Sequence, residues 1–333
     1  MPSLSSIQQP NSQVANTQVA NTQVANKTRI VAVMMGGTGG IGAATCRELV
    51  TSFKEPKLYI VGRNESAASH LTQELGAINS SAEVHFIQSD LSLIRNVDDL
   101  CRSVAQKETA IDLLFLTAGI LNPKGRNDTE EGLDKMYSLM YFSRIRAVAN
   151  LLPLLKNAAA NGRPSRVISV LGAGNEGNIF KDDLPMRDNY SLKACSRQAI
   201  AMHTLSLEYL ARGNPDVSFL HVYPGPVRGT NIMEGFGQPL KGVIGVLMLL
   251  AAPFNMSVRE CAARQLFLIT TEAFKAKGDR SGSTLAVFRV GADSEILPES
   301  PLVAGYLKDG MMERVWAFTE STFMSVLGRG KES

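Results

Sequence analysis

The sequence predicts a doubly wound α/β fold, an open parallel sheet of about seven strands with helices on both faces. Three observations predict it. Short apolar runs alternate with longer amphipathic stretches as far as Tyr223, the first run ends on the cluster Gly36-Gly37-Thr38-Gly39-Gly40-Ile41-Gly42, and a late run ends on Pro224-Gly225-Pro226.

Arg29-Ile30-Val31-Ala32-Val33-Met34-Met35 is apolar after its first residue, the pattern of a strand buried on both faces of a parallel sheet. The pattern then predicts a helix over 41–53, a strand over 57–61, a helix over 65–75 and a strand over 83–88. It continues with a helix over 96–106, a strand over 111–116, a long helix over 131–157 and a strand over 166–171. A helix over 190–212 and a strand over 217–223 follow. Parallel strands joined through helices need right-handed crossovers, hence the doubly wound sheet. Beyond this the rhythm weakens: residues 226–256 read as a loop-and-helix excursion, 259–271 as a helix, 284–289 as a last strand and 306–323 as a C-terminal helix carrying Trp316.

With 333 residues, 44% of them hydrophobic, the chain can bury a large core. One domain of roughly 250 to 300 residues plus tails fits that size. The 34 basic and 31 acidic residues leave a formal charge of +3, too balanced for a surface that coats phosphates, so no nucleic-acid partner is expected. Cys46, Cys101, Cys195 and Cys261 are far apart, which suggests neither a zinc site nor a disulfide framework and points to a reducing, cytoplasmic compartment. His70, His85, His203 and His221 show no metal-ligand spacing and read as ordinary surface or core histidines, so no metal is expected. Residues 1–26, with NTQVA-type repeats and no basic segment leading into an apolar stretch, read as a disordered polar tail and not a signal peptide. The apolar residues 243–252 fall short of the roughly 20 that span a bilayer. They read either as a buried helix or as a lid that covers substrate or touches a membrane.

The glycine cluster lies between a strand and a helix, the context in which such a motif is informative. Gly36 suits a tight turn, Gly40 a close approach of backbone to a diphosphate, and Gly42 close packing of helix on strand. Beside Thr38 and Ile41, the opening of the helix would present free N–H groups and a partial positive charge to phosphates. This makes the fold Rossmann-type and the ligand a dinucleotide. At the end of the second strand an acidic residue would accept from a ribose hydroxyl, whereas this chain has Gly62-Arg63-Asn64. The planar donors of Arg63 suit a 2′-phosphate, which favours NADP(H). Asp90, after the third strand, either meets the adenine ring or caps the next helix.

With these features the chain resembles the short-chain dehydrogenase/reductase family, and the fungal members that serve secondary-metabolite biosynthesis in particular. The resemblance covers about residues 28–232. It rests on Gly36-x-x-x-Gly40-x-Gly42, Gly62-Arg63, Asp90-Leu91, Thr117-Ala118-Gly119 and Pro224-Gly225-Pro226-Val227-Arg228-Gly229-Thr230. It implies that Ala118 and Gly119 contact the coenzyme, that Pro224 and Val227 line the nicotinamide end, and that Tyr190 and Lys193 act as the acid/base and its partner, Lys193 also holding the ribose. The phenol needs such a cation because its ordinary pKa, about 10, makes it a poor base at neutral pH. The chain departs from the pattern elsewhere. Tyr190 and Lys193 are three residues apart instead of four, Met140 stands where the family has Asn, and Leu171-Gly172 where it has serines. On a helix a spacing of three still shares a face. The resemblance further implies dimers or tetramers through the helices over 131–157 and 190–212.

The expected organisation is a tail over 1–26 and one dinucleotide-binding domain over 27–333, with a substrate-covering segment at about 226–256. Phe236, Leu240, Val243, Ile244, Leu247, Met248 and Phe254 suit an apolar small-molecule substrate there, or packing on the sheet. Two functions are open: an NADP(H)-dependent oxidoreductase on a carbonyl or hydroxyl, or a non-redox isomerase, cyclase or cofactor-binding regulator on the same scaffold.

Overall fold

Strand β1 (Arg29–Met35) forms where the opening apolar run predicts it, with Ile30 through Met35 buried. It belongs to a computed structural model that describes residues 28–230, 232, 236, 255–276 and 285–328. The polar tail over 1–26 and nearly all of 231–254 lie outside the described residues, and with them the expected covering segment. Around β1 stand β2 (Glu55–Gly62), β3 (Glu83–Gln88), β4 (Leu113–Leu116), β5 (Arg166–Val170) and β6 (Ser218–Val222). A two-residue pair, β7 (Val227–Arg228) and β8 (Met256–Ser257), stands apart, and β9 (Phe288–Val290) closes the main sheet. The seven strands run in the order β3-β2-β1-β4-β5-β6-β9, all parallel, so the chain reverses its winding between β1 and β4. That reversal leaves a crevice at the carboxyl ends of the strands.

Period-two alternation divides β1 between two cores. Ile30, Ala32 and Met34 face α1 (Gly40–Ser52), α2 (Glu65–Ile78) and α7 (Val258–Thr270). Val31, Val33 and Met35 face α3 (Ile94–Ala105), α5 (Ser143–Ala160), α6 (Leu192–Gly213) and the C-terminal helices α8 (Pro301–Lys308) and α9 (Met311–Gly328). Among the described residues no helix is long and apolar enough to cross a membrane.

Three helical boundaries differ from expectation. The helix expected over 131–157 starts only at α4 (Lys135–Tyr137), because Asp134 is its N-cap, accepting from the Tyr137 amide at 2.9 Å. Glu131 lies outside it and instead accepts from the amides of Ile94 (2.6 Å) and Arg95 (3.0 Å), capping α3 from a distance. A π-turn, Ser138–Phe142, then separates α4 from α5; such turns recur at functional sites. The helix expected from 190 begins at Leu192, with Ser191 as N-cap. The C-terminal helix expected over 306–323 is two helices, turned at Gly310 with φ +69.

Of the two helices through which the resemblance would pair copies, α6 is covered in part by the chain's own C-terminus. Helix α9 lies along α6 and against α3 and the π-turn, burying the stripe Val315, Thr319, Phe323 and Val326. Phe142 meets Phe323 edge-on at 6.3 Å, Thr319 bonds the Tyr141 hydroxyl, and Trp316 stacks on Tyr209 at 4.5 Å. Each large apolar side chain buried there contributes about 1.5–3 kcal/mol.

Candidate active site

Helix α1 begins without a cap. Asn64, Asp134, Ser191, Ser257 and Ser300 cap other helices with a side-chain oxygen, and Glu131 serves α3. The N-cap of α1 is Gly39, which has no side chain to offer, so the opening amides have no side-chain acceptor and remain a set of donors for an anion. The turn that delivers them depends on glycine. Gly36 adopts φ +89, and a Cβ there would stand 2.6 Å from the Ala118 nitrogen. A Cβ on Gly42 would strike the Gly36 carbonyl, and one on Gly62 would meet Thr38 Oγ1 at 2.5 Å. Gly40 has φ +50 and faces Thr230, 3.7 Å from where its Cβ would be. Residues Thr38 and Ile41 complete this turn.

Beyond β2 and β3 lies a cavity of about 490 Å³ lined by Arg63, Gln88, Ser89, Asp90 and Asn96 among others. Among the described residues the Arg63 guanidinium has no ion pair, and the residue is exposed. Asp90 does not cap α3, whose N-cap is Leu93. Its Oδ1 accepts instead from the Ser92 amide (3.0 Å) and hydroxyl (2.7 Å), while Oδ2 pairs with Lys135 at 3.5 Å. Burial works to raise its pKa, but the Ser92 bonds and the Lys135 and Arg63 charges outweigh it and hold Asp90 below its ordinary value.

At the other end of the crevice three loops converge. Thr117 Oγ1 donates to the carbonyls of Met35 (3.2 Å) and Gly36 (3.3 Å), so a hydroxyl ties the end of β4 to the glycine turn. Ala118 and Gly119 follow, and the Leu121 amide donates to the Ile232 carbonyl at 3.0 Å. The loop from Pro224, turned at Gly225 (φ +74) and Gly229 (φ +80) with Val227 buried between, carries Thr230 onto Gly40. The glycine turn, the Ala118-Gly119 turn and the Pro224 loop therefore meet.

The structure does not bring Tyr190 and Lys193 together. Tyr190 precedes the N-cap of α6, so both residues are not on one helical face, and Lys193 is exposed. The half-buried Tyr190 hydroxyl instead donates to Asp134 Oδ1 at 3.4 Å. Burial first, then Cys195 and Asp134, push this phenol well above its ordinary pKa, the opposite of what a lysine partner does. Met140 lies buried in the π-turn, and Leu171 bonds Val222 through its amide. A Cβ on Gly172 would stand 2.7 Å from Ile200 Cδ1, so a serine there would need Ile200 to yield.

In place of the expected hydroxyls runs a buried polar row that the sequence did not reveal. Leu116, Ser169, His221 and Arg289 are aligned across β4, β5, β6 and β9 by register. Arg144 donates to Ser169 Oγ at 2.7 Å, and the Gly172 amide to His221 Nε2 at 3.3 Å. That bond puts the His221 proton on Nδ1, 2.9 Å from Thr204 Oγ1, which in turn bonds Glu176 at 3.0 Å. Glu176 and Arg289 form a buried two-pronged ion pair at 2.9 Å. His203 packs edge-on against His221 with neither ring nitrogen bonded. Charged residues inside apolar stretches, such as Arg144 in Tyr141-Phe142-Ser143-Arg144-Ile145, are the signal that could have marked this row.

Comparison with known proteins agrees with this architecture. The family model for short chain dehydrogenases matches residues 30–240. Oxidoreductase AN1596 of Emericella nidulans is 36% identical over 311 residues, covering 88% of this chain and 92% of that protein. The short-chain dehydrogenase/reductase SAT2 of Stachybotrys chartarum is 33% identical over 270 residues, covering 75% and 74%. Among solved structures, the NADPH-bound carbonyl reductase from chicken fatty liver superposes with a TM-score of 0.55 at 18% identity, covering 82% of this chain and all of that one. With strand order, glycine turn and converging loops in place, the match over most of the chain identifies it as a member of the short-chain dehydrogenase family.

Proposed function

We propose that the chain is an NADP(H)-dependent oxidoreductase acting on a carbonyl or hydroxyl of an apolar small molecule. The observation that carries this reading is the uncapped start of α1, whose glycine turn packs against Gly62, the residue before Arg63, on one side and against Ala118 and Thr230 of the two other loops on the other. Amides after Gly39 would hold the diphosphate, with Gly36, Thr38, Gly40, Ile41 and Gly42 shaping the turn. Arg63 would meet a 2′-phosphate and Asp90 the adenine. Ala118, Gly119, Pro224 and Val227 would line the nicotinamide end, with Lys193 approaching the ribose from solvent. The bound coenzyme supplies the hydride. The NADPH carried by the chicken carbonyl reductase supports the choice of coenzyme.

In this reading Tyr190 is the proton donor, and it works as an acid. A phenol pushed upward stays protonated at neutral pH and can give its proton to the alkoxide formed in reduction, but it is a poor base for the reverse step. At neutral pH the resting site therefore holds the proton that reduction consumes. Met140, Leu171 and Gly172, which cannot orient a carbonyl by hydroxyl or amide, favour a second reading as an isomerase or cyclase with the coenzyme held but unconsumed. A role in secondary metabolism and a cytoplasmic location carry over from the sequence as parts of the proposal. NADPH consumption with a panel of hydrophobic ketones tests it. Oxidation supports the reductase; tight NADPH binding with isomerised product and no oxidation supports the second reading.

A further inference from the structure

Arg144, at the start of α5, is 2% exposed and has only neutral acceptors. Its Nε donates to the Leu139 carbonyl inside the π-turn at 3.0 Å. Nη1 donates to the Leu116 carbonyl (3.1 Å), Ser169 Oγ (2.7 Å) and the Val170 carbonyl (3.0 Å), at the ends of β4 and β5. Nη2 donates to the Ala118 carbonyl at 2.7 Å and lies 3.9 Å from the point where a Cβ on Gly119 would be. One side chain thus joins the π-turn, two strand ends and the Ala118-Gly119 turn.

Its surroundings leave the charge uncancelled. His203 and His221 are held neutral by burial, His221 at a pKa of about 4. Glu176 is engaged with Arg289. Burial lowers Arg144 itself only to about 9, so it is a cation at neutral pH. An uncompensated buried cation is costly, and five neutral oxygens stabilise it without neutralising it.

We propose that Arg144 is a positioning residue for the nicotinamide end of the crevice: it fixes Ala118-Gly119 against β4 and β5, and its charge makes the site favour the reduced, uncharged nicotinamide over the oxidised, cationic ring. This rests on the reading of the crevice as an NADP(H) site. Two like charges within about 10 Å, at an effective protein dielectric of about 20, change an affinity on the order of tenfold.

The test is calorimetric titration of the full chain, and of R144M and R144K, with NADPH, NADP⁺ and 2′,5′-ADP, which lacks the nicotinamide half. The wild type is expected to hold NADPH about tenfold more tightly than NADP⁺ or better. In R144M that ratio is expected to fall to near unity, with 2′,5′-ADP affinity unchanged. R144K, which keeps the charge but not the planar fork, is expected to keep the ratio while weakening both coenzymes in parallel. Equal affinities in the wild type overturn the proposal, even if neither variant folds. An unaltered ratio in R144M overturns it as well, and so does loss of 2′,5′-ADP binding in step with the coenzymes, which would mark a merely structural role. Failure of the wild type to bind any of the three nucleotides would sink the coenzyme reading beneath it, an outcome distinct from NADPH and NADP⁺ binding alike.

Discussion

The Tyr190 hydroxyl is bonded to the Asp134 carboxylate at 3.4 Å, so the phenol of the candidate site faces an anion where the family resemblance implied a cation. An acceptor carboxylate favours the neutral phenol. Activity in the direction of reduction is therefore expected to persist past pH 10, the ordinary value for an isolated phenol being about 10. Asp134→Asn removes the anion while keeping an oxygen for the Tyr137 cap, and is expected to move the basic limb of the kcat/KM profile to lower pH. Tyr190→Phe is expected to lower turnover by about 10²-fold or more. Full activity in that variant would assign the proton to another donor.

The buried histidines give the fold an acid limit. Burial, opposed by Glu176 and assisted by Arg289 and Arg144, lowers His221 from 6.5 to about 4, and burial also holds His203 well below its ordinary value. A histidine neutral in the folded chain and protonated in the unfolded one stabilises the fold above pH 6.5, and this contribution is lost as pH falls through the folded value of about 4. For His221 alone the loss is about 3 kcal/mol. Because neither nitrogen of His203 is bonded, His203→Phe is expected to match or exceed the wild type by about 1 kcal/mol at pH 7, and to lose less stability on acidification. Urea unfolding at pH 7 and pH 5 measures both; a large loss at pH 7 would mean that His203 holds something the packing does not reveal.

What the sequence disclosed, and what it hid, follows from how far each feature reaches along the chain. Parallel strands buried on both faces are continuous apolar runs, so β1 is found at the expected residues. Pairing Tyr190 with Lys193 assumed a helix through both, but Ser191 accepts from the Ala194 amide and the helix starts at Leu192, two residues past Tyr190. A serine before an apolar run was a legible cap signal. Arg144 was legible only as a charge inside an apolar stretch and not as a bridge: its five acceptors come from β4, β5, Ala118 and the π-turn, elements that meet only in the folded chain. In a helical pattern a lone arginine reads as a solvated face.

Coenzyme choice is expected to depend on Arg63. Its guanidinium borders the cavity beside Asp90 and among the described residues has no ion pair. Arg63→Ser is expected to reduce the preference for NADPH over NADH by tenfold or more, roughly the worth of one charge-assisted bond to phosphate. Direct titration of both coenzymes checks this, and an unaltered preference would move the 2′-phosphate contact elsewhere.

Helix α9 is expected to keep the chain from pairing through the outer face of α6. Phe323 is buried against Phe142, and Arg146 lies over its ring at 5.2 Å. Phe323→Ala is expected to cost about 3–5 kcal/mol and to promote self-association as the stripe loosens. Light scattering of the variant beside the unaltered chain checks this: a larger mass for Phe323→Ala is expected, and an unchanged mass would place any contact between copies on another surface.

The most direct measurement is calorimetric titration of the purified chain with NADPH, beside the variant Gly40→Asp. The glycine turn is expected to give saturable one-to-one binding, weakened by about 100-fold or more when an aspartate at φ +50 puts its carboxylate before the amides of α1, with unfolding of the variant remaining cooperative. Absence of heat from the folded wild-type chain, or equal affinity in Gly40→Asp, would contradict a diphosphate held at the start of α1.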